Sequence, residues 1–265
     1  MPEPGAARLE RTFREAGRPL FVPYVMGGYP DLAASRRHAH LLAPYADIIE
    51  LGIPFSDPLA DGPTIQAAGQ AALDAGTRPG DVLDIAADLR GGPPVVVMTY
   101  FNTVIAQGAD AFLAAAAAKG VAGIIIPDLP VDEAADARRA ARAAGVALIA
   151  LAAPTTDDAR MAVIGEEAEG FVYLVAVTGV TGGEMSMDDR LRALVARARR
   201  HIPVPVVVGF GVRTPEQAAQ IGTLADGVVI ASELIRRIGD APDAAAADAA
   251  VDAFGAAVAE ALRPG

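Results

Sequence analysis

The sequence predicts an α/β fold in which eight parallel strands, each followed by a helical crossover, close into one barrel. Three observations support this prediction. Short apolar runs recur along the 265 residues at a spacing of about 25 residues, the length of one strand–helix unit. The runs are almost continuously apolar, as in strands that are buried on both faces of a parallel sheet. The chain also has the length of one such barrel, about 250 residues.

Each apolar run marks one predicted strand, and the segments between the runs favour helices. Residues 132–145, for example, are rich in Ala and Arg and end on a glycine that is typical of a helix C-terminus. The predicted strands are Leu20–Met26, Ala46–Gly52, Pro94–Tyr100, Gly120–Pro127, Gly145–Ala153, Gly170–Val177, Val204–Gly211 and Ala225–Ser232.

The motifs that mark an open, doubly wound sheet are missing from the sequence. No G-x-G-x-x-G follows the first run, and no phosphate-loop motif occurs anywhere in the chain. No polar linker divides the sequence either. We therefore expect one domain over residues 1–265, a single (β/α)8 TIM barrel with a parallel eight-stranded core. Residues 1–19 are expected to form an N-terminal helical extension, and residues 240–265 a C-terminal surface helix.

Charge and composition exclude several classes of function. The chain has 22 Lys and Arg against 33 Asp and Glu, a formal net charge of −11, which argues against a nucleic-acid-binding protein. It has no Cys, so disulfides, thiolate zinc sites and cysteine nucleophiles are excluded. The N-terminus has no apolar leader segment, and no run reaches the roughly 18 apolar residues of a spanning helix. We expect a cytoplasmic protein that binds no membrane.

Three carboxylates near the end of the second predicted strand are candidates for proton transfer. Glu50 ends an apolar run and is expected at the barrel mouth, where a low dielectric raises the pKa of a carboxyl group. A structural pairing with Arg or backbone amides explains Glu50 equally well. Asp57 and Asp61 follow on a long loop, where ordinary turn chemistry is the main alternative. Two carboxyl groups in different environments are able to divide the acid and base roles.

The loops after the last three predicted strands form a candidate phosphate site. Residues 178–183 read TGVTGG, residues 209–217 read GFGVRTPEQ, and Ser232 lies at the start of a predicted helix. Thr214 begins a capping-box pattern, which is typical of a helix start. In barrels of this class, the helix N-termini that follow strands seven and eight commonly bind phosphate.

The histidines offer no comparable site. His38, His40 and His201 lie in helical or pre-strand segments, away from the predicted carboxyl ends of strands, so we expect them on the surface. Neither H-E-x-x-H nor the G-x-S-x-G motif of serine hydrolases occurs.

Several longer motifs resemble the tryptophan synthase alpha subunit family. The run IIELGIPFSDPLADGPTIQ at residues 48–66 is the most specific of them, and the resemblance covers nearly the whole chain, from Leu20 to Arg237. This family has the TIM barrel that the spacing of the apolar runs predicts. The other matching motifs are PYVMGGYP at 23–30, MTYFN at 98–102, IIIPDLPVDE at 124–133, YLVAVTGVTGG at 173–183 and GFGVRTPEQ at 209–217.

The resemblance implies a lyase of tryptophan biosynthesis. Its reaction is the retro-aldol cleavage of indole-3-glycerol phosphate to indole and glyceraldehyde 3-phosphate, which needs no metal and no organic cofactor. By residue-by-residue comparison, Glu50 is the general acid and base of this reaction. Asp61 accepts a hydrogen bond from the indole N–H and stabilises the cationic ring. Tyr173 lines the site beside these two groups.

The resemblance also implies two binding regions and a closing loop. Thr181 is the loop residue that reaches Asp61 when the site closes. The phosphate is held around Gly182, Gly183, Gly211, Ala231 and Ser232. The indole pocket is lined by Tyr24, Met98, Tyr100, Pro127 and Leu151. Two positions depart from the family pattern: Ala231 stands where the family usually has Gly, and residues 184–189 are divergent.

The partner that the resemblance implies is a beta subunit that carries pyridoxal phosphate and receives indole through a tunnel, in an alpha2-beta2 heterotetramer. Pro54–Ala60, the Asn102 region and Pro127–Asp132 are implied to face it. Two other interpretations stay open. The chain is either a free-standing lyase that needs no partner or a non-catalytic barrel that activates the beta subunit. The intact carboxylates and tyrosine of the implied site argue against the non-catalytic barrel.

Overall fold

Eight parallel strands form a closed barrel in the order of the chain, which confirms the predicted fold class. The computed structural model describes residues 3–175, 187–209 and 211–263. Each strand pairs with the next, and β8 pairs with β1. The strands are β1 (Leu20–Met26), β2 (Ile49–Gly52), β3 (Val95–Met98), β4 (Val121–Ile125), β5 (Ala147–Ala152), β6 (Val172–Val175), β7 (Val206–Gly209) and β8 (Gly227–Ile230).

Helices surround this barrel, and two of them, α3 (Pro63–Asp74) and α4 (Pro79–Asp88), lie between β2 and β3 in the chain. A 3-10 turn, Val131–Glu133, follows β4. Within the described ranges, no helix is long and apolar enough to cross a bilayer. The helices are α1 (Gly5–Ala16), α2 (Leu32–Leu42), α3 (Pro63–Asp74), α4 (Pro79–Asp88), α5 (Phe101–Ala106), α6 (Ala109–Ala118), α7 (Ala135–Ala144), α8 (Asp158–Glu167), α9 (Met187–Ala198), α10 (Pro215–Gly222), α11 (Ser232–Gly239) and α12 (Ala244–Ala261).

The alternation of side chains along β2 determines what faces the barrel interior. Ile49 and Leu51 belong to the apolar layer between the sheet and the helices. Ile48 packs in the interior of the barrel, and Glu50, two residues further on, lies on the same face of the strand. The second strand therefore presents a carboxyl group to an interior that is otherwise largely apolar.

Helix α1 closes the barrel at the end where the strands begin. Leu9 is fully buried among the interior side chains, and the rings of Phe13 and Phe171 are 5.8 Å apart. Gly5 approaches the backbone of Ala122 so closely that a Cβ at this position would overlap its carbonyl oxygen. The interior is thus closed at one end, and the strand C-termini form the open mouth.

The C-terminal helix α12 packs on α2, α10 and α11. This packing corrects the predicted surface position of the histidines. His38 in α2 is 1% exposed, and its Nε2 lies 3.0 Å from Asp248 of α12. The prediction was wrong for His38 because α12 covers the face of α2 on which it lies. His40 is exposed and His201 is half-buried.

Candidate active site

Glu50 is a buried acid in the wall of the barrel mouth. Its Cα is in register with Tyr24 of β1 on one side and Val96 of β3 on the other. The residue is 1% exposed, and its Oε2 has no hydrogen-bond partner among the described residues. Burial, followed by the charge of Asp61, raises the pKa of Glu50 to about 8. At neutral pH the side chain is therefore mostly protonated and able to donate a proton.

Asp61 lies on the loop between β2 and α3, and Tyr100 contacts that loop. The Tyr100 hydroxyl accepts a bond of 3.1 Å from the N–H of Ala60, the residue before Asp61. The ring of Tyr100 stacks on Phe55, with 5.0 Å between the centroids. Burial raises the pKa of Asp61 to about 6, although the nearby Tyr100 hydroxyl acts in the opposite direction. At pH 7 an ionised Asp61 thus accompanies a protonated Glu50.

Two tyrosine hydroxyls cover glycines at the ends of strands. A Cβ at Gly52 would overlap the hydroxyl of Tyr24, and a Cβ at Gly209 would overlap the hydroxyl of Tyr173. Burial, together with the charges of the two carboxylates described above, raises the pKa of both tyrosines well above the ordinary range. Both hydroxyls therefore stay protonated and remain hydrogen-bond donors at the mouth.

The remaining residues of the predicted indole pocket lie at the ends of neighbouring strands. Met98 packs against both the barrel interior and the cluster that contains Tyr24. Leu151 of β5 is in register with Tyr173 of β6. Pro127 follows β4 and, with Leu151, lines a cavity of about 440 Å³ beside the barrel. The residues of the predicted indole pocket thus add largely apolar surface at the ends of β3, β4 and β5.

The predicted phosphate site lies at the starts of α10 and α11. Ser232 is the first residue of α11, and Gly211 follows β7 with a φ of +60°. Both line a cavity of about 880 Å³. Thr214 caps α10 by accepting from the Gln217 N–H at 3.3 Å. Two helix N-termini are thus close to a common space, an arrangement that suits an anion.

Ala231 and the loop after β6 are the two places where the sequence departs from the family pattern. Ala231 is half-buried and packs against the apolar cluster of Tyr24, Met26 and Ile235. Its methyl group is therefore accommodated by apolar side chains. Thr181, Gly182 and Gly183, with the divergent residues up to 186, lie outside the described residues, and their roles stay predictions.

The segments that were predicted to face a partner lie around the same mouth. Leu59 is 84% exposed, the most exposed of the large apolar side chains in the described part of the chain. Asn102 and Asp128 are also exposed, and the Asp128 carboxylate accepts a bond of 2.8 Å from the Phe101 N–H. The exposed Asp57, by contrast, is outside the pair formed by the buried Glu50 and the half-buried Asp61.

The sequence interpretation missed one contact of the site, the bond from the Ala60 N–H to the Tyr100 hydroxyl. Tyr100 was assigned only to the indole wall. The structure shows that its hydroxyl also holds the backbone of the loop that carries Asp61, while Phe55 stacks on its ring. The signal for this contact in the sequence is weak, an aromatic residue at a strand end and another on the preceding long loop.

A buried acid, an ionised carboxylate and two helix N-termini thus meet at the carboxyl end of a parallel barrel. The fold and the site define an acid–base enzyme of the TIM-barrel class.

Comparison with known proteins identifies the family. The sequence model of the family described as "Tryptophan synthase alpha chain" matches residues 11–261, and the chain belongs to this family. The tryptophan synthase alpha chain of Geobacter sulfurreducens is 44% identical over 87% of this chain and 89% of its own length. That of Prochlorococcus marinus is 45% identical over 88% of this chain and 86% of its own.

Solved structures agree with this assignment. The tryptophan synthase subunit alpha of Legionella pneumophila superposes with a TM-score of 0.89 at 32% identity, covering 98% of this chain and 99% of that one. A chain of tryptophan synthase from M. tuberculosis gives a TM-score of 0.87 at 36% identity, covering 97% and 99%. As a member of this family, the chain is a lyase that cleaves indole-3-glycerol phosphate in tryptophan biosynthesis.

Proposed function

We propose that Glu50 makes both proton transfers in the cleavage of indole-3-glycerol phosphate. The observation that carries the proposal is its buried, protonated carboxyl group at the barrel mouth. The proton passes to C3 of the indole ring, and the positive charge is delocalised to the ring nitrogen. The Glu50 carboxylate then removes the proton of the neighbouring side-chain hydroxyl. The carbon–carbon bond breaks, its electrons restore the aromatic ring, and an aldehyde forms. Glu50 ends the cycle protonated, as it began.

Asp61 stabilises the charge that appears between these two steps. The ionised Asp61 carboxylate accepts a hydrogen bond from the ring N–H, and its attraction to the ring is largest when the ring is cationic. Tyr100 positions the loop that carries this carboxylate through its bond to the Ala60 N–H. In this proposal the buried Tyr24 and the half-buried Tyr173 and Met98 pack around the substrate and exclude water from the ring.

The phosphate of the substrate occupies the space in front of α10 and α11. This assignment is supported by the backbone N–H groups around Gly211 and Ala231, because helix N-termini favour anions. The hydroxyl of Ser232 adds a further hydrogen-bond donor. Gly182 and Gly183 complete the site in this proposal. Thr181 reaches Asp61 when the loop closes.

The partner of the chain in this proposal is a tryptophan synthase beta subunit, in an alpha2-beta2 heterotetramer. The chain contributes the cleavage step, and indole passes to the partner. Two proton transfers and the contact between the Asp61 carboxylate and the ring N–H are sufficient for this step. In this proposal the chain therefore uses no metal or organic cofactor, and pyridoxal phosphate belongs to the beta subunit alone. A cytoplasmic location and a single domain over residues 1–265 are parts of the same proposal.

The experiment that tests this function measures indole release from indole-3-glycerol phosphate by the purified chain, with and without a beta subunit. Slow release that rises sharply with the partner is the expected result. Equal and fast release in both samples identifies a free-standing lyase. No release in either sample contradicts the lyase assignment and favours a non-catalytic barrel that acts on the beta subunit.

A further inference from the structure

Three arginines from three different elements line the cavity of about 880 Å³ in front of α10 and α11. Arg192 belongs to α9, Arg213 to the loop between β7 and α10, and Arg236 to α11. Gly211 and Ser232 line the same cavity. The proposed phosphate site therefore has cationic side chains around it in addition to the two helix N-termini.

The positive charge of this lining is not neutralised. Among the described residues that line the cavity, the one acid is Glu233. Glu233 is 6% exposed and pairs with both Arg236 and Arg237, with Arg237 at 2.7 Å. The exposed side chains of Arg192 and Arg213 have no ion-pair partner in the described part of the chain. Two arginines are thus available to an anion that enters the cavity.

The charge of the cavity is opposite to that of the molecule as a whole. The chain has a net charge of −11, and a phosphate monoester carries about −1.5 to −2 at pH 7, so the molecule as a whole repels a phosphorylated substrate. Salt screens exposed charges beyond about 10 Å at 0.1 M, so the charges that line the cavity dominate at close approach. A cleft lined by one sign of charge accelerates association of the opposite charge by about 10-fold to 1,000-fold.

We propose that Arg192, Arg213 and Arg236 form a cationic entrance that captures the phosphate group of the substrate before the helix N-termini bind it. This inference rests on the proposed function, which places the phosphate in the same cavity. The backbone N–H groups fix the phosphate by short hydrogen bonds, whereas the arginines act through their charge and need no fixed contact. The entrance therefore contributes to kcat/KM and leaves kcat to Glu50 and Asp61.

The test measures indole release at several ionic strengths, with the beta subunit in excess. The entrance double variant carries Arg192→Gln and Arg213→Gln. The control double variant carries Arg14→Gln and Arg139→Gln, which remove the same charge from exposed positions on α1 and α7 that do not line the cavity. At an ionic strength of about 0.02 M we expect the entrance double variant to lower kcat/KM about tenfold with kcat unchanged. The difference shrinks to about twofold at about 0.5 M, and the control keeps the wild-type values.

A charge-keeping variant separates the charge of the entrance from the shape of its side chains. Arg192→Lys with Arg213→Lys is expected to retain the wild-type kcat/KM at every ionic strength, because a lysine carries the same charge. An equal loss in this variant and in the entrance double variant overturns the proposal. So does a loss that does not depend on salt, or one that the control shares.

Inorganic phosphate provides a readout that does not depend on cleavage. Its affinity for the full chain, measured by calorimetry at low salt, is expected to weaken about tenfold in the entrance double variant and to stay unchanged in the control. If the wild type cleaves no substrate but its phosphate affinity depends on the two arginines, the lyase assignment fails and the entrance stands. If all variants share one kcat/KM and one phosphate affinity, the entrance is wrong and the lyase assignment stands.

Discussion

Glu50 and Asp61 share one proton at neutral pH, because burial, followed by the charge of Asp61, raises the pKa of Glu50 to about 8, while burial raises that of Asp61 to about 6. Between these values the two carboxyl groups hold one proton, and it resides mainly on Glu50. This is the state that the proposed reaction needs, an acid beside the ring carbon and an anion beside the ring nitrogen.

The first prediction concerns the dependence of kcat/KM on pH. It is expected to rise through about pH 6 as Asp61 ionises, and to fall through about pH 8 as Glu50 loses its proton. In Asp61→Asn the pH profile of the residual activity has no rise near pH 6. The fall near pH 8 moves to lower pH, because burial still raises the pKa of Glu50 but the added effect of the Asp61 charge is gone. Indole release measured from pH 5 to 9 checks both profiles. A flat profile contradicts the assignment.

The second prediction concerns stability. The raised pKa means that the native state binds the Glu50 proton more tightly than the unfolded chain, whose carboxyl titrates near its ordinary value of 4.5. The stabilisation that this proton contributes is complete below about pH 4.5. As the pH rises it decreases by about 1.4 kcal/mol per pH unit, and the decrease ends at about pH 8. This loss does not occur in Glu50→Gln. The free energy of unfolding of Glu50→Gln is therefore expected to increase relative to that of the wild type between pH 5 and 8.

Urea unfolding at pH 5 and pH 8 measures that difference. Glu166→Gln is the control, because Glu166 is an exposed carboxyl on α8. Its stability difference from the wild type is expected to be the same at both values. If Glu50→Gln behaves like this control, the carboxyl of Glu50 is not desolvated in the native state.

The third prediction concerns the proposed partner surface. Leu59 is 84% exposed on the loop at the mouth. Leu59→Asp is expected to leave the unfolding free energy and the indole release of the isolated chain unchanged, and to weaken binding of the beta subunit about tenfold or more. Val163→Asp, at a 39% exposed apolar position on α8, is the control and is expected to keep full affinity. Equal affinities for both variants place the interface elsewhere.

The fourth prediction concerns the phosphate. Ser232→Ala is expected to raise KM about tenfold to a hundredfold with little change in kcat, since one hydrogen bond to a charged group contributes about 1.5–3 kcal/mol. Asp243→Ala removes the side-chain cap of α12 and serves as the control. It lowers the unfolding free energy by about 1 kcal/mol and leaves KM unchanged. A wild-type KM in Ser232→Ala removes Ser232 from the phosphate site.

The fold could be predicted because buried parallel strands leave a clear pattern in the sequence. Near-continuous apolar runs at regular spacing predict the barrel, and the position of Glu50 at the end of one run predicts that it faces the mouth. The burial of His38 could not be predicted this way, because it depends on α12, which joins α2 from more than 200 residues further along the chain.

The site could be predicted only in part, for the same physical reason. The motif around Glu50 and Asp61 is contiguous, so the sequence brings the two acids to one loop region. The bond from the Ala60 N–H to Tyr100 and the cavity beside β5 depend on contacts between segments that are far apart in the chain. Neither leaves a local pattern, and both required the three-dimensional arrangement.

The most direct test of the account compares the wild type, Glu50→Gln and Glu166→Gln for indole release at saturating substrate, with the beta subunit in excess. Because the proton transfers occur in the transition state, Glu50→Gln is predicted to lower kcat by about 100-fold to 10,000-fold and to change KM little, while Glu166→Gln retains the wild-type values. A Glu50→Gln variant with undiminished kcat, or with only a raised KM, contradicts the central claim that Glu50 carries the protons of the cleavage.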